Sequence, residues 1–489
     1  MKPATNRSVD DARKQGDPRP CSEGPGRDNR DGDLRTAEAI WVPDARQQAM
    51  LEDPDCRGLF LAVYCPNPFD ATAAQGAFDG LIARHSMLRS HYTRAQDGRL
   101  LVVTMPPAPV AVSWTDLRSQ RPTAARDALI GIARAFIWYA WDPYCGPLVG
   151  CTVARLSESL FVFVVGVHHS LADAASMNIM RYELQVLYRA SLMGVLPPLE
   201  PIHLEYRDLL RERTEWLSSD SAIPHLNYWR RVLAGTDSLF KLPYDDISPL
   251  DPSAVPNDVR GELNGAVLNR LRDLAASQHT TLPTLFSALV MVIIGSLSAK
   301  PDVAAWICHM GRPPRKAAFY VVGCFVDYWL LRVDISHSIN FVDALHQVHQ
   351  RVVEATPHLA VTLHTLIPEL SRISAGAIYP GIVINFMPYA KTSALPADFS
   401  LSTPKRPGSA LSKDSPLGLV INCTESADQL TWDIIHSAYL WGDRTIHRFS
   451  SWLVTAAAQV AHNPQTTLAD LAVMAIPDPV SGVWHQSPQ

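Results

Sequence analysis

The sequence predicts an α/β fold made of two lobes, and three observations support this prediction. The chain has 489 residues, of which 47% are apolar and 19% are charged, so it can bury more than one hydrophobic core. Helical patterns alternate with short apolar runs from Ala37 to about Leu217. A loop rich in Asp and Pro follows at 242–260, and the same mixture then resumes. We therefore expect a first lobe over residues 36–235, a linker over 236–260 and a second lobe over 261–489.

The first lobe is predicted from helical patterns and three strand-like runs. The pattern DATAAQGAFDGLIARHSMLRSHY at 70–92 indicates a helix, and LNYWRRVLAG at 226–235 indicates another. Strands are indicated by the runs LFLAVYC (59–65), LLVVTM (100–105) and LFVFVVGV (160–167). Residues 1–35 contain almost nothing apolar, so we expect them to form a disordered tail.

The second lobe begins with a helix at 266–277 and continues with a very apolar helix that starts after Thr281. This second helix, LPTLFSALVMVIIGSL at 282–297, is shorter than the roughly 20 residues that a membrane span needs, so we interpret it as a buried helix. Later elements are strands at WLLRVDI (329–335), GIVINFM (381–387) and LGLVINCTE (417–425), and a closing helix at 444–461.

Composition argues against several classes of partner and location. The net charge is -5, and no Lys/Arg run alternates with aromatic residues as nucleic-acid binding would require. The N-terminus has no apolar core and does not resemble a secretory signal. Eight cysteines are present without CxxC spacing, which is typical of reduced thiols in the cytoplasm. We expect a cytoplasmic monomer that binds neither nucleic acid nor membrane.

An apolar run ends in two adjacent histidines, followed by an aspartate, in FVFVVGVHHSLADAASM at 161–177. A run that is apolar on both faces indicates a strand covered on each side. His168 and His169 are expected to point in opposite directions, since side chains alternate along an extended chain. An imidazole can take a proton from an attacking amine or alcohol, and Asp173 is near enough to orient it. The alternative is that a histidine at a strand end only satisfies a local carbonyl.

Other chemistries have weaker support in the same stretch. A metal site could use His168, His169 and Asp173, but adjacent histidines rarely converge on one ion, so we expect no metal. Ser170 and Ser176 lack the GxSxG and SxxK contexts of an acyl-serine mechanism. GxGxxG and GxxxxGK[ST] are absent. Proton transfer by a histidine is therefore the favoured interpretation.

Four stretches resemble one family, the condensation domains of nonribosomal peptide synthetases. HHSLADA (168–174) resembles the HHxxxDG signature of that family, which lies in the superfamily of chloramphenicol acetyltransferase. RHSMLRSHY (84–92) is similar to its RHxxLRTxF stretch. The segments 310–336 and 430–453 resemble its GR...VGxFVNTLPLRVD region and its closing strand and helix. The order and spacing hold from about Ala37 to Met474.

The resemblance implies a fold and a reaction. The fold would be two chloramphenicol-acetyltransferase-like lobes, each a mixed sheet flanked by helices, in a V with a central tunnel. An acyl thioester on the phosphopantetheine arm of a carrier protein would enter one side, and a small-molecule amine or hydroxyl would enter the other. The protein would be an acyltransferase with no bound cofactor.

The resemblance also assigns roles to residues. His169 would be the base, and His168 would be buried support. Asp173 would be structural, in an ion pair with either Arg89 or Arg312.

Two positions depart from the family pattern. Ala174 replaces the glycine of the signature, and Asp327 stands where the family usually has Asn. Together with Ser176 and Asn385, they are our candidates for the substrate tunnel. The stretch VPDARQQAML (42–51) is at best a degenerate form of the family's SxAQxxLW. These departures argue against ordinary peptide-bond formation.

Three hypotheses follow from this resemblance. The first hypothesis is a free-standing acyltransferase of fungal-type secondary metabolism that acts on a carrier protein or megasynthase in trans. We expect it to be free-standing because no adenylation, carrier or thioesterase region fits in the remaining residues. The absence of DFGWG argues against a simple acyl-CoA donor. The second hypothesis is a cyclase that uses the tunnel without acyl transfer. The third is a non-catalytic docking protein for a megasynthase.

Overall fold

The computed structural model describes residues 30–52, 56, 58–65, 69–137, 139, 141–235, 259–366, 381–387, 417–437 and 440–473. These residues form two compact units. The first unit contains the described residues up to Thr214 together with the segment Arg312–Phe325, and the second contains the others. Most of the predicted tail (1–29) and of the predicted linker (236–258) lies outside the described residues.

The first unit contains two sheets and the helices that cover them. Its elements in chain order are α1 (Arg30–Thr36), β1 (Ala39–Trp41), α2 (Ala45–Glu52), β2 (Gly58–Cys65), α3 (Ala71–Arg84), β3 (Ser90–Arg94), β4 (Leu100–Thr104), β5 (Val112–Asp116), α4 (Pro122–Ile137), β6 (Val149–Arg155), β7 (Phe161–His168), α5 (Ala174–Met193) and α6 (Tyr206–Leu217), whose end from Glu215 counts with the second unit. One sheet has the order β2-β7-β6-β5, and the other has the order β1-β4-β3.

Strand β7 is the buried centre of the four-stranded sheet. All eight of its residues are buried, and it pairs antiparallel with β2 on one side and β6 on the other. Phe161 and Phe163 both pack edge-on against Tyr188 of α5, with ring centroids 5.0 and 5.7 Å apart. An apolar strand buried on both faces therefore holds His168 in a fixed position at its C-terminal end.

The second unit is a six-stranded mixed sheet with helices. Its elements in chain order are α7 (Ile223–Leu233), β8 (Val259–Asn264), α8 (Gly265–Ser277), α9 (Leu282–Ser298), β9 (Asp302–His309), β10 (Asp327–Asp334), α10 (Phe341–Ala355), β11 (Gly381–Met387), β12 (Leu417–Glu425), β13 (Gln429–His436), α11 (Asp443–His462) and α12 (Leu468–Val473). The strand order is β10-β9-β11-β12-β13-β8, and β11 runs parallel to both of its neighbours.

Helix α9 is the apolar helix that the sequence places after Thr281. Thr281 is its N-cap, since the Thr281 side chain accepts a hydrogen bond from the Thr284 backbone N–H at 3.3 Å. Nearly all of its residues up to Gly295 are buried in the core of the second unit. No single described helix is long and apolar enough to cross a membrane; α8 and α9 reach that threshold only as a pair bent by 102°.

The helix predicted at 70–92 is wrong beyond Arg84. Helix α3 ends at Arg84, and one 3-10 turn, Ser86–Arg89, leads into strand β3. Strand β3 pairs with β4 along its length. Antiparallel pairing with the next strand along the chain therefore overrides the local helical pattern, which is a common failure of pattern-based prediction.

The expectation that all thiols are reduced is wrong at Cys145. Cys145 is disulfide-bonded, whereas the other six described cysteines are free. Sequence spacing does not determine disulfide connectivity, so this bond left no signal in the sequence.

Candidate active site

His168 ends strand β7 and is held as a neutral, buried imidazole. Its Nδ1 accepts hydrogen bonds from the backbone N–H of Ser170 at 3.2 Å and from the Ser170 hydroxyl at 2.7 Å. Burial, with the neighbouring His169 adding to it, lowers the pKa of His168 to about 4. Because Nδ1 accepts, the single ring proton lies on Nε2. His168 is therefore a support for the turn that follows.

His169 begins the 3-10 turn His169–Leu171 and is half-buried. Its Nδ1 lies 3.1 Å from the carbonyl oxygen of Ala172 and 3.9 Å from the sulfur of Cys324. A carbonyl oxygen can only accept, so Nδ1 carries the proton and the Nε2 lone pair is left unprotonated. Among the described residues, Nε2 has no hydrogen-bond partner.

Asp173 caps helix α5 and does not contact His169. Its Oδ1 accepts from the backbone N–H and the hydroxyl of Ser176 at 2.7 and 2.8 Å, and from Nη2 of Arg312 at 2.9 Å. Its Oδ2 accepts from the backbone N–H of Phe325 at 3.0 Å. The carboxylate is thus fully occupied by the start of α5 and by the segment Arg312–Phe325.

Arg312 is the arginine beside Asp173. Its guanidinium is 1% exposed, and Nη1 donates to the carbonyl oxygens of Ala318 and Val321 at 2.9 and 2.7 Å. The guanidinium carbon lies 4.3 Å from the centre of the Phe325 ring. A buried charge is stable only when hydrogen-bond acceptors and an opposite charge surround it. Through its ion pair with Asp173, Arg312 joins the segment Arg312–Phe325 to the start of α5.

The other arginine candidate lies elsewhere in the first unit. Arg89 donates to the carboxylate of Glu38 and to the carbonyl oxygen of Met105. It therefore contacts neither Asp173 nor His169.

Ser176 and Ala174, both tunnel candidates from the sequence, lie in the first turn of α5. The Ser176 hydroxyl is fully buried and lies 2.7 Å from the Gly323 carbonyl oxygen, and it accepts from the Gly323 N–H at 3.1 Å and from Nη2 of Arg312 at 2.8 Å. The Ser176 side chain therefore joins the start of α5 to the segment Arg312–Phe325. Ala174 is exposed.

The remaining two candidates belong to the second unit. Asp327 is fully buried, and its carboxylate accepts from the Thr362 hydroxyl at 2.6 Å and lies 2.8 Å from Nδ1 of His364. Asn385 lies on β11, half-buried, and its side-chain amide donates to Oδ1 of Asn422 at 2.9 Å.

The sequence reasoning missed two buried polar residues of α2. Arg46 donates to the carbonyl oxygen of Phe325 at 2.6 Å and to the Tyr206 hydroxyl at 2.9 Å. Gln47 donates to the Tyr92 hydroxyl at 3.1 Å and to the carbonyl oxygen of Ser170 at 3.4 Å. Both residues lie in the stretch VPDARQQAML, the degenerate form of the family's SxAQxxLW motif. Gln47 stands at the glutamine of that motif, and this match was the signal that the sequence offered.

This arrangement can carry out proton transfer. The end of β7 presents one imidazole whose Nε2 can accept a proton, while the Ala172 carbonyl stabilises the charge that would form on the ring. No group of three or more His, Cys, Asp or Glu among the described residues could hold a metal ion.

The chain matches the model of the condensation domain family over residues 60–476. It is 26% identical over 408 residues to one of the proteins that make up the linear gramicidin synthase of Brevibacillus parabrevis, an alignment that covers 83% of this chain and 8% of that protein. The chain therefore spans less than a tenth of the length of this relative.

Two solved structures share the fold. The X-domain solved in complex with OxyB from teicoplanin biosynthesis is 22% identical, with a TM-score of 0.72, and the match covers 94% of this chain and 99% of that chain. The first condensation domain of the calcium-dependent antibiotic synthetase is 19% identical, with a TM-score of 0.68, covering 88% and 98%. These neighbours confirm the predicted chloramphenicol-acetyltransferase-like α/β fold. Because the family model matches most of its length, the chain belongs to the condensation domain family.

Proposed function

We propose that this protein transfers an acyl group from a carrier-protein thioester to an amine or hydroxyl, with His169 as the base. The observation that carries the proposal is the tautomer of His169. The Ala172 carbonyl holds the proton on Nδ1, which leaves Nε2 able to accept one. The membership of the condensation domain family and the relationship to a peptide synthase support a carrier-bound donor.

The proposed reaction moves the acyl group from the sulfur of the thioester to the nitrogen of the amine or the oxygen of the hydroxyl. Nε2 accepts the proton of the amine or hydroxyl as it attacks the thioester carbonyl, and a C–N or C–O bond forms. The tetrahedral intermediate collapses, and the C–S bond breaks. The imidazolium then returns its proton to the departing thiolate, which regenerates the thiol of the phosphopantetheine arm.

Asp173 acts in this proposal as a positioning residue. It caps α5 and is bound to Arg312, so it fixes the end of the loop that starts at His169. It does not share the proton of the imidazole, because its oxygens are bound to other donors.

The test uses a carrier protein loaded with an acyl thioester and intact-mass spectrometry. Wild-type protein should release or transfer the acyl group, and His169→Ala should lower the rate by about 10² to 10⁴, the usual contribution of a positioned proton-transfer group. The matched control is His346→Ala, which removes an exposed histidine of α10. The proposal fails if the thioester stays intact with wild type, or if His169→Ala keeps the wild-type rate.

A second candidate function is docking without catalysis. The X-domain with the same fold was solved in complex with another protein, OxyB, which supports a binding role for this fold. This candidate becomes the leading one if the carrier binds and its thioester persists. Rearrangement of the bound chain without transfer would instead support the cyclase hypothesis.

A further inference from the structure

A cavity of about 710 Å³ lies in the second unit, lined by residues of α7, β10, α10 and the turn that follows α10. Its lining residues all belong to that unit. The volume is in the range of pockets that hold small organic molecules. The side chains around it are mostly polar or charged, so their charges indicate which class of ligand fits.

Most of the charged side chains around the cavity form ion pairs with one another. Arg332 binds the carboxylate of Asp302 with two nitrogens, from Nη2 to Oδ2 at 2.7 Å and from Nε to Oδ1 at 3.0 Å. Arg351 donates to Glu354 at 2.6 Å. The third lining carboxylate, Asp334, is exposed at the C-terminal end of β10.

Arg231 lines the cavity from α7 without a protein partner. Its side chain is exposed, and within the part of the chain that the structure describes it makes no ion pair or side-chain hydrogen bond. A guanidinium presents paired N–H donors that match the two oxygens of a carboxylate. Arg231 can therefore bind an anion without losing a contact inside the protein.

The end of the cavity formed by Tyr228 and His358 has a net positive charge. The two rings are stacked, with centroids 4.1 Å apart and planes at 11°. Burial raises the pKa of Tyr228. The charges that also act on this hydroxyl are those of Glu354, Arg351 and Arg231. One carboxylate and two guanidiniums leave one positive charge beside the stacked rings.

Neither stacked ring adds a charge near neutral pH. Burial, with His225 and Arg231 adding to it, lowers the pKa of His358 from its ordinary value of 6.5, so this ring is neutral. Its Nδ1 lies 2.9 Å from Nδ1 of His225. The hydroxyl of Tyr228 keeps its proton and makes no hydrogen bond to any described residue, so it can donate to a ligand. Asp334 is not among the charges that act on either ring.

We propose that the end of this cavity formed by Tyr228, Arg231 and His358 binds the carboxylate of a small organic monoanion. The Arg231 guanidinium supplies the charge, and the Tyr228 hydroxyl donates a hydrogen bond to a carboxylate oxygen. One uncompensated positive charge matches a monoanion, whereas Glu354 repels the second charge of a dianion such as a phosphate monoester. The inference goes beyond the proposed acyl transfer and does not rest on it.

The test measures binding to the full chain by ligand-observed NMR, with benzoate, benzamide and phenyl phosphate as probes. Benzoate and benzamide have nearly the same shape, but only benzoate is charged. We expect benzoate to bind about fivefold more tightly than benzamide, the scale of an ion pair with an exposed arginine. Slightly above neutral pH phenyl phosphate is a dianion, and it should bind no more tightly than benzoate.

Variants separate this site from other contacts of the probes. Arg231→Gln should remove the preference for benzoate. Arg230→Gln is the matched control and should keep it, because Arg230 is exposed on the same helix but does not line the cavity. Tyr228→Phe keeps an aromatic ring against His358 and should weaken benzoate and benzamide alike, by about threefold to tenfold, since both lose a donor. Thermal unfolding checks that each variant is folded.

The inference is overturned if wild type binds benzamide as tightly as benzoate, or if folded Arg231→Gln keeps the preference. Equal losses in Arg231→Gln and Arg230→Gln would also overturn it, because the net charge of the protein would then explain the preference. Tighter binding of phenyl phosphate would overturn the assignment to a monoanion. The readout is binding, so each of these results leaves the proposed acyl transfer to its own thioester assay.

Discussion

His168 and His169 are adjacent in sequence but hold their ring protons on opposite nitrogens. The Ser170 N–H and hydroxyl occupy Nδ1 of His168, whereas the Ala172 carbonyl occupies Nδ1 of His169. The first ring therefore keeps its proton on Nε2, and the second keeps it on Nδ1. The turn after β7 thus divides the pair into one structural imidazole and one imidazole whose Nε2 can accept a proton.

Burial of His168 makes the stability of the protein depend on pH. Its pKa is lowered by burial from an ordinary value of 6.5 to about 4. Between these values the unfolded chain binds a proton that the folded chain does not, so stability is present above pH 6.5 and falls as the pH drops towards 4. The shift corresponds to roughly 3 kcal/mol. Urea unfolding between pH 7 and pH 4 should show this loss.

The control for this pH dependence is His168→Asn, whose side-chain oxygen can still accept from Ser170. The variant should lose less stability than wild type over the same pH range, because it has no imidazole to protonate. Parallel curves for the two proteins would contradict the assignment of His168 as a buried neutral ring.

At the scale of elements, helix α5 is anchored at its first turn by the ion pair of Asp173 and Arg312. Both side chains are nearly inaccessible to solvent, at 3% and 1%. The pair joins α5 to a segment that lies 139 positions further along the chain. Breaking one partner leaves the other as an uncompensated buried charge.

Asp173→Asn should therefore lower the free energy of unfolding by about 3 to 5 kcal/mol. Asp70→Asn is the matched control, since Asp70 caps α3 through the Ala73 N–H and Asn caps a helix about as well as Asp, so the change should cost at most about 0.5 kcal/mol. Denaturant unfolding of both variants measures the difference. Equal losses would show that the buried pair adds nothing beyond the cap.

The sequence predicts the elements of this site better than their long-range partners. The apolar pattern of β7 places the two histidines at a strand end because that signal is local. Arg89 and Arg312 are equal candidates for Asp173 in the sequence, since nothing local distinguishes them. The pairing of Asn385 with Asn422, and of Asn422 with Asp433, depends on strand register, and no pattern within β11, β12 or β13 specifies which residues become neighbours.

At the scale of the whole molecule, each unit contains its own core and its own polar site. The first unit contains His169 together with Asp173 and Arg312, and the second contains the half-buried side chains of Asn385, Asn422 and Asp433, which are joined by hydrogen bonds. The family signature covers the first of these sites. Of the second, the sequence indicates only Asn385, as a candidate for the substrate tunnel.

Nitrogen-15 NMR of histidine-labelled protein reports directly which ring nitrogen is protonated, and the proposed role of His169 as a base depends on this. His169→Ala and His168→Asn assign the signals. Near neutral pH, His169 should show a protonated Nδ1 and an unprotonated Nε2, and His168 should show the reverse. A proton on Nε2 of His169 would contradict its proposed role, because that nitrogen could not then accept a proton from the attacking amine or hydroxyl.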